Sequence, residues 1–155
     1  MYDTAKDLID ALRAGPEVLA GLLRDCSPEQ ARNARGGDED WSVVEVMCHL
    51  RDAEERALER TQAMSEAENP FLAAYDQEQW ALERRYAEAD LQGALRAFRE
   101  LRARHVAVLE ALSPQGWERT GRHEEQGRIT ISGHIAHMAA HDAVHAAQIA
   151  RQLQG

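Results

Sequence analysis

The stretch 134-HIAHMAAHDAVHAAQI-149 combines an apolar series and a histidine series at the same helical spacing. Four of the seven histidines of the chain lie in it, separated by three, four and four residues. On a wheel of about 100° per residue, all four fall within an arc of roughly 80°. Ile131, Met138 and Ile149 lie beside that arc. The spacing predicts one long helix whose histidines lie at the edge of a buried seam.

Three further long helices are predicted before this one in the chain, from apolar residues at helical spacing. Alanine, leucine, arginine and glutamate dominate the sequence and favour helix, whereas the alternation typical of strands is nearly absent. These features indicate an all-α fold, a four-helix bundle with long crossover connections, in one domain over residues 1–155. The predicted spans are Thr4 to Cys26, Ser42 to about Asn69, Asp90 to about Ser113 and Thr130 to about Leu153, with a short helix at Asp76 to Arg85 and loops at 27–41 and 115–130.

Capping signals support these boundaries. Ser42 and Glu45 form a capping-box pattern before an apolar series. Asp90 is a favourable N-cap for the third long helix, and Thr130 can cap the fourth. Gly15-Pro16 lies inside the first long helix and is expected to kink or split it.

Composition excludes several classes of protein. The chain has 18 basic and 27 acidic residues, a net charge of -9, which argues against nucleic-acid binding. No apolar run reaches the roughly eighteen residues that span a membrane, and the first residues lack a signal region, so a cytoplasmic protein is predicted. Cys26 and Cys48 form no CxxC pair and are expected to be thiols, as small apolar residues.

The histidine face is a candidate metal site. Histidines four residues apart lie about 6 Å apart along a helix, so both rings can bind one ion. Two such pairs occur, His137 with His141 and His141 with His145. A third ligand is expected from a facing helix, where His49 lies beside the apolar series. Spacing leaves open which pair binds and whether the histidines only pack. A three-histidine site with open positions suits a divalent metal.

Other metal and catalytic motifs are absent from the sequence. No Glu-x-x-His occurs, which excludes the ferritin-like di-iron pattern. There is no HExxH for a zinc protease, no G-x-S-x-G elbow and no phosphate-cradling glycine loop. His105, on the third long helix, is predicted to lie on the surface.

Three segments together resemble the DinB/YfiT-like family of metal-binding four-helix bundles. The segment 41-WSVVEVMCHLRDAEE-55 is similar to the family's W-S-x-x-E-x-x-x-H-L pattern. The segment 117-WERTGRHEEQGRITI-131 is similar to a pattern of one branch, and 141-HDAVHAAQIARQL-153 to the family's H-x-x-x-H-x-x-Q-I ending. Their order and spacing span nearly the whole chain.

The resemblance implies a specific ligand set and cofactor. The ligands would be His49, His141 and His145, which selects between the two histidine pairs, and the metal would be zinc or nickel. His134 and His137 then pack or support the ligands, and His123 could reach the open side of the site. Family members are often homodimers, and some transfer low-molecular-weight thiols.

Three residues are candidate hydrogen-bond partners for the ligand nitrogens. Metal-bound histidines usually donate their other ring N–H to an acceptor. Asp142 and Glu45 are candidates by proximity in sequence, and Gln148 lies one turn beyond His145.

Two functions are carried forward. The first is a metal-dependent enzyme acting on a small molecule by hydrolysis or thiol transfer, with His137 or His123 as the candidate for acid–base chemistry. The second is a non-catalytic metal-binding or stress-response helical dimer.

Overall fold

The computed structural model describes residues 4–35 and 41–154. It is a four-helix bundle of helices 19 to 24 residues long, as the sequence predicts. Two 3₁₀ turns occur at Tyr86–Glu88 and Gly116–Glu118. Within the described residues, no helix combines the length and apolarity needed to cross a membrane. In chain order the elements are α1 (Ala5–Leu23), α2 (Pro28–Asn33), α3 (Val43–Glu66), β1 (Phe71–Leu72), α4 (Gln77–Glu83), α5 (Leu91–Glu110), β2 (Thr120–His123), β3 (Gly127–Thr130) and α6 (Ile131–Gln154).

The predicted helix caps are confirmed. Ser42 and Glu45 form both hydrogen bonds of a capping box at the start of α3. Asp90 accepts from Gly93 N at 2.8 Å, and the hydroxyl of Thr130 accepts from Gly133 N at 3.0 Å. These side chains satisfy backbone N–H groups that lack a partner in the first helical turn.

Two predicted loops contain regular structure. The loop over 27–41 holds α2, which Ser27 caps through a hydrogen bond from Gln30 N. The loop over 115–130 holds β2 and β3, and β3 begins at Gly127, whose φ of 76° suits glycine. Short strands lack the apolar alternation that predicts longer ones. Residues 1–3, 36–40 and 155, which the predicted domain and loop include, lie outside the described residues.

A polar layer separates the core into two apolar clusters. On α5, Phe98 belongs to one cluster and Val106 to the other, and on α6 Ile149 and Met138 are divided in the same way. The side chains between them are polar but deeply buried. They are Arg102 and His105 on α5 and Asp142 and His145 on α6.

Arg102 is the centre of the polar layer. Its side chain is 2% exposed, and it donates to both oxygens of Glu54 at 2.9 and 3.0 Å and to both oxygens of Asp142 at 2.7 and 3.0 Å. Its Nη1 also donates to the backbone carbonyl of Leu12 at 2.7 Å. A buried cation needs such partners, because removal of its water is expensive. One guanidinium therefore joins α5 to α3, α6 and α1.

The prediction that His105 lies on the surface is wrong. His105 is fully buried, with Nδ1 2.9 Å from Glu54 Oε2 and Nε2 2.7 Å from Thr61 Oγ1. The carboxylate and the hydroxyl satisfy both ring nitrogens, which makes burial of the ring tolerable.

The sequence predicts that Gly15-Pro16 kinks or splits the first helix, and the split is wrong, since α1 continues through Pro16. Proline has no N–H, so the carbonyl of Leu12, four residues earlier, loses its helical donor. Nη1 of Arg102 donates to that carbonyl instead. A Cβ atom at Gly15 would lie 2.3 Å from Oδ2 of Asp142, so glycine is needed where α1 meets the ion pair.

The hairpin β2–β3 is attached to the end of α3. Arg119 donates to the carbonyls of Met64 and Ala67 at 2.7 and 2.9 Å, which satisfies carbonyls at a helix C-terminus. A Cβ atom at Gly121 would lie 2.6 Å from Leu72 Cδ1, so the hairpin packs tightly against β1. These contacts fix the path of the chain to His123 at the end of β2.

Two glycines of α1 provide a matched test of the polar layer. Gly15→Ala places a methyl group against Asp142, and we expect it to lower the free energy of unfolding by about 2 kcal/mol. A Cβ atom at Gly21 would have no neighbouring atom within 4 Å, so Gly21→Ala should raise stability by up to about 1 kcal/mol through helix propensity. Urea denaturation followed by circular dichroism measures both. Equal effects of the two variants would contradict this account of Gly15.

Candidate metal centre

Three histidines from two helices converge beside the polar layer. His49 comes from α3, and His141 and His145 lie one turn apart on α6. One ring nitrogen from each lies within 4.8 Å of the others. The ring centroids are 5.0 Å apart for His49–His141 and His49–His145, and 4.5 Å for His141–His145. The cluster is therefore a nearly equal-sided triangle of imidazoles.

Hydrogen bonds orient the rings of the cluster. Nδ1 of His145 donates to Oε1 of Gln148 at 2.7 Å, which leaves Nε2 without a proton and free to bind. Nε2 of His49 and Nε2 of His141 lie 3.0 Å apart. Nδ1 of His141 is buried and has no hydrogen-bond partner among the described residues. The indole of Trp41 packs on His49, with ring centroids 5.3 Å apart.

Burial keeps His49 and His141 neutral at physiological pH. Burial, with the added effect of His145, lowers the pKa of His49 to about 4. Burial, followed by the neighbouring histidines, lowers the pKa of His141 to about 2. Neutral imidazole is the form that binds metals, so protons do not compete for these nitrogens at pH 7.

The donor set fits a divalent transition metal. Zinc–nitrogen bonds of about 2.0–2.1 Å in a tetrahedral site place ligand nitrogens about 3.3 Å apart. Nε2 of His49 and His141 are already near that separation. A pair of facing lone pairs at this distance is repulsive unless a proton or a cation lies between them. Three imidazoles leave at least one coordination position open.

The carboxylates near the cluster have other partners. Asp142 pairs with Arg102, and Glu45 completes the capping box of α3. Asp52 accepts from Arg51 at 2.9 Å and also from the hydroxyl of Tyr86. In the described structure, neither sequence-predicted carboxylate, Asp142 or Glu45, bonds a ligand nitrogen. The third candidate, Gln148, accepts a hydrogen bond from Nδ1 of His145, as its position one turn beyond His145 suggests.

A cavity of about 550 Å³ opens beside the cluster. His49 and His141 form part of its wall, so the cluster is accessible to a small molecule. The hairpin and the 66-to-86 connection close it from the other side. Its lining residues are His49, Ala53, Arg60, Tyr75, Gln77, His123, Gln126, Arg128, Ile129, Thr130, Gly133, His134, His137, Met138 and His141.

The remaining predicted histidines also line this cavity. His137 is exposed, and its ring centroid lies 6.4 Å from that of His141. Nδ1 of His123 accepts from the backbone N–H groups of Glu125 and Gln126 at 3.1 and 3.2 Å. His134 is buried, and its Nε2 donates to the carbonyl of Ala57 at 3.1 Å. Burial, and then the neighbouring guanidinium of Arg60, lower the pKa of His123.

Stacked cations and aromatic rings hold the 66-to-86 connection on α3. The rings of Tyr75 and Trp80 stack with centroids 4.5 Å apart. The guanidiniums of Arg84 and Arg56 lie 3.8 and 5.0 Å from the Trp80 ring, and Arg60 lies 5.9 Å from the Tyr75 ring. Cation–π contacts of this kind stabilise the packing of this connection against α3. Sequence reasoning missed these residues, although arginines on α3 recur at helical spacing.

Comparison with known proteins shows to which family the chain is similar. A profile described as the DinB superfamily matches residues 11–149. A candidate metal-dependent hydrolase of Oceanobacillus iheyensis is 33% identical over 135 residues, which cover 86% of this chain and 77% of that protein. YfiT of Bacillus subtilis, also named as a candidate metal-dependent hydrolase, is 28% identical over 113 residues, 72% of this chain and 64% of that protein.

The fold also matches a solved structure. That of YfiT from Bacillus subtilis, described as an unusual four-helix bundle topology, superposes with a TM-score of 0.90. The match covers 97% of this chain and 86% of YfiT at 24% sequence identity. The arrangement of helices is therefore shared.

Buried neutral histidines predict that stability falls in mild acid. Burial lowers the pKa of His134 to about 4, whereas the unfolded chain binds a proton at that ring below about pH 6.5. Because the unfolded state then binds more protons, stability is lost as pH falls from about 6.5 towards 4. In metal-free protein, His134→Gln should reduce the loss between pH 7 and pH 5 by about 2 kcal/mol. Urea denaturation at both pH values tests this, and an unchanged loss would contradict it.

Proposed function

This chain belongs to the DinB superfamily, and we propose that it is a metal-dependent hydrolase whose divalent ion is held by His49, His141 and His145. The observation that carries the proposal is the convergence of three imidazoles from two helices, of which His49 and His141 line a cavity. Relatives are named as candidate metal-dependent hydrolases, and this chain has a histidine cluster of the kind such a function needs.

Zinc or nickel is the proposed metal. Neutral imidazole nitrogens suit both ions, and a site without carboxylates does not favour magnesium or calcium. Gln148 supports this assignment, because it fixes the ring of His145 with Nε2 free. Removal of either α6 histidine or of His49 leaves two ligands, which is too few for a tight site.

The residues around the cavity have distinct roles in the proposed reaction. A divalent ion supplies Lewis acidity, which polarises a carbonyl or phosphoryl group and lowers the pKa of a water or thiol. His137 is exposed to the cavity one turn before His141, and it acts as the proton acceptor. Nδ1 of His123 accepts two backbone N–H groups, so the ring keeps its proton on Nε2. His123 therefore donates a hydrogen bond to substrate.

Hydrolysis is favoured over a covalent route through a cysteine of this chain. Cys48 is fully buried, and burial raises the pKa of its thiol to about 11. Neither cysteine lines the cavity, so a thiol that takes part would come with the substrate. Transfer of a low-molecular-weight thiol is the alternative reaction of the same site.

Three further features of the protein remain predictions. They are its location in the cytoplasm, its assembly as a homodimer and the extent of its single domain over residues 1–155.

Metal content tests the ligand set directly. Protein purified without a histidine tag and dialysed against zinc should hold about one ion per chain by elemental analysis. His49→Ala and His145→Ala should each lose it, because two imidazoles bind too weakly to survive dialysis. His137→Ala is the matched control from α6 and should keep the ion. Retention of the ion in both ligand variants, or no ion in any sample, would overturn the proposed site.

Catalysis is tested on the loaded protein with a panel of carboxylic and phosphoric esters. Turnover should require the metal, and His137→Ala should lower kcat by about 100-fold at unchanged metal content, because the proton acceptor is gone. Imidazole added to that variant should restore part of the rate. Metal that raises thermal stability without turnover on any ester or thiol adduct would favour the non-catalytic metal-binding module instead.

A further inference from the structure

Arg60 is a half-buried cation that forms no ion pair with any residue in the described part of the chain. It lies on α3 and lines the cavity. Its Nη2 donates to the carbonyl of Ala73 at 2.7 Å, and its Nε is buried with no hydrogen-bond partner among the described residues. Glu59 and Glu125 act on it only through space. A guanidinium has five N–H donors, so most of the donors of Arg60 remain for a ligand.

The cavity is cationic although the chain is acidic. The net charge of the chain is -9, yet Arg60 and Arg128 line the cavity and, within the described residues, no carboxylate does. The other ionisable lining groups are the five histidines His49, His123, His134, His137 and His141, together with the hydroxyl of Tyr75. Three neutral imidazoles also leave the charge of a divalent ion uncompensated. The two charged residues among the described ones that line the cavity, Arg60 and Arg128, are therefore both positive.

We propose that this cavity binds an oxyanion group of the substrate, a carboxylate or a phosphate, and that Arg60 is the residue that recognises it. The inference rests on the proposed function, since it names the class of substrate for that site. Arg60 is held in place by Ala73 and by the ring of Tyr75, whose centroid lies 5.9 Å away. A preorganised, partly desolvated guanidinium binds an oxyanion more strongly than a mobile surface arginine.

Arg128 has a secondary role. It lies on β3 and is exposed, so water screens its charge and its side chain is free to move. Arg128 attracts anions to the mouth of the cavity, whereas Arg60 binds them. Uncharged substrates lack this contact and bind in the same space more weakly.

Three probes with the same phenyl ring and different polar groups test the inference without a known substrate. Benzoate and phenylphosphonate carry the two oxyanions, and benzamide is their neutral counterpart. Dissociation constants come from NMR titration of zinc-loaded and of metal-free protein, with the arginine Nε–H signals observed. Wild type should bind both oxyanions at least tenfold more tightly than benzamide, and the signal of Arg60 should shift. The ratio of benzoate to phenylphosphonate affinity then identifies which oxyanion the site favours.

Variants separate Arg60 from the metal. Arg60→Gln removes the charge but keeps a polar side chain, and it should weaken oxyanion binding roughly tenfold, with benzamide binding unchanged. Arg60→Lys keeps the charge and should recover part of the loss. Arg122→Gln, on β2 outside the cavity lining, is the control and should bind as wild type does. Circular dichroism verifies that each variant is folded.

Two results would overturn the inference. One is equal binding of benzoate, phenylphosphonate and benzamide to zinc-loaded wild type. The other is an oxyanion preference that persists in Arg60→Gln, which would assign the preference to the metal. Metal content measured on the same samples keeps the two proposals apart. Zinc-loaded protein that shows no preference for oxyanions would contradict only the role of Arg60. Protein that binds no zinc would contradict the metal site. In that case the titration of metal-free protein still tests whether Arg60 binds oxyanions.

Discussion

The ion pair network around Arg102 is the constraint on which the site depends. Its guanidinium bonds Glu54 on α3, Asp142 on α6 and the Leu12 carbonyl on α1. A buried ion network of this kind contributes little net stability compared with apolar packing. It specifies alignment, because a rotated or shifted helix would leave a buried charge unpaired. Asp142 immediately follows His141, so the rotation that pairs Asp142 with Arg102 also presents His141 and His145 to His49.

The same layer contains an arrangement that has the order of a catalytic triad but cannot act as one. Thr61, His105 and Glu54 are linked by hydrogen bonds of 2.7 and 2.9 Å, as a nucleophile, a base and an orienting carboxylate would be. All three side chains have no exposed surface, and none lines the cavity beside the histidine cluster. Access distinguishes this network from the metal centre, where His49 and His141 reach the cavity wall. The network therefore has a structural role: Glu54 pairs with Arg102, and His105 and Thr61 extend the hydrogen bonds of Glu54.

Much of the fold could be predicted from the sequence because helical spacing and caps are local properties. Ser42 with Glu45, Asp90 and Thr130 begin their helices as expected. The spacing of Leu91, Leu95 and Phe98 continues in steps of four and three to residues 102 and 105, so position alone could have shown that both are buried. Their residue types argued for the surface, and their partners come from helices about 50 residues away in sequence.

The candidate site was predictable only in part for a related reason. His141 and His145 lie four residues apart on one helix, so their proximity could be predicted from the spacing. The contact of Gln148 with His145 could be predicted in the same way, because the two residues lie three positions apart on that helix. Arg60 and Arg128 reach the cavity because the 66-to-86 connection and the hairpin fold over it. That path depends on stacking of Tyr75 and Trp80 and on Arg119 at the end of α3, which are long-range contacts without a periodic signal.

The junction of Gly15 and Pro16 with Arg102 and Asp142 has an evolutionary consequence. Pro16 leaves a carbonyl that Arg102 satisfies, and Gly15 leaves the space that Asp142 fills. The effect of a substitution at any of these four positions depends on the residues at the other three. A side chain at position 15, for example, should cost less stability once the ion pair has been lost or moved. We expect the four positions to show epistasis and to change together, although they lie on three helices and span most of the chain.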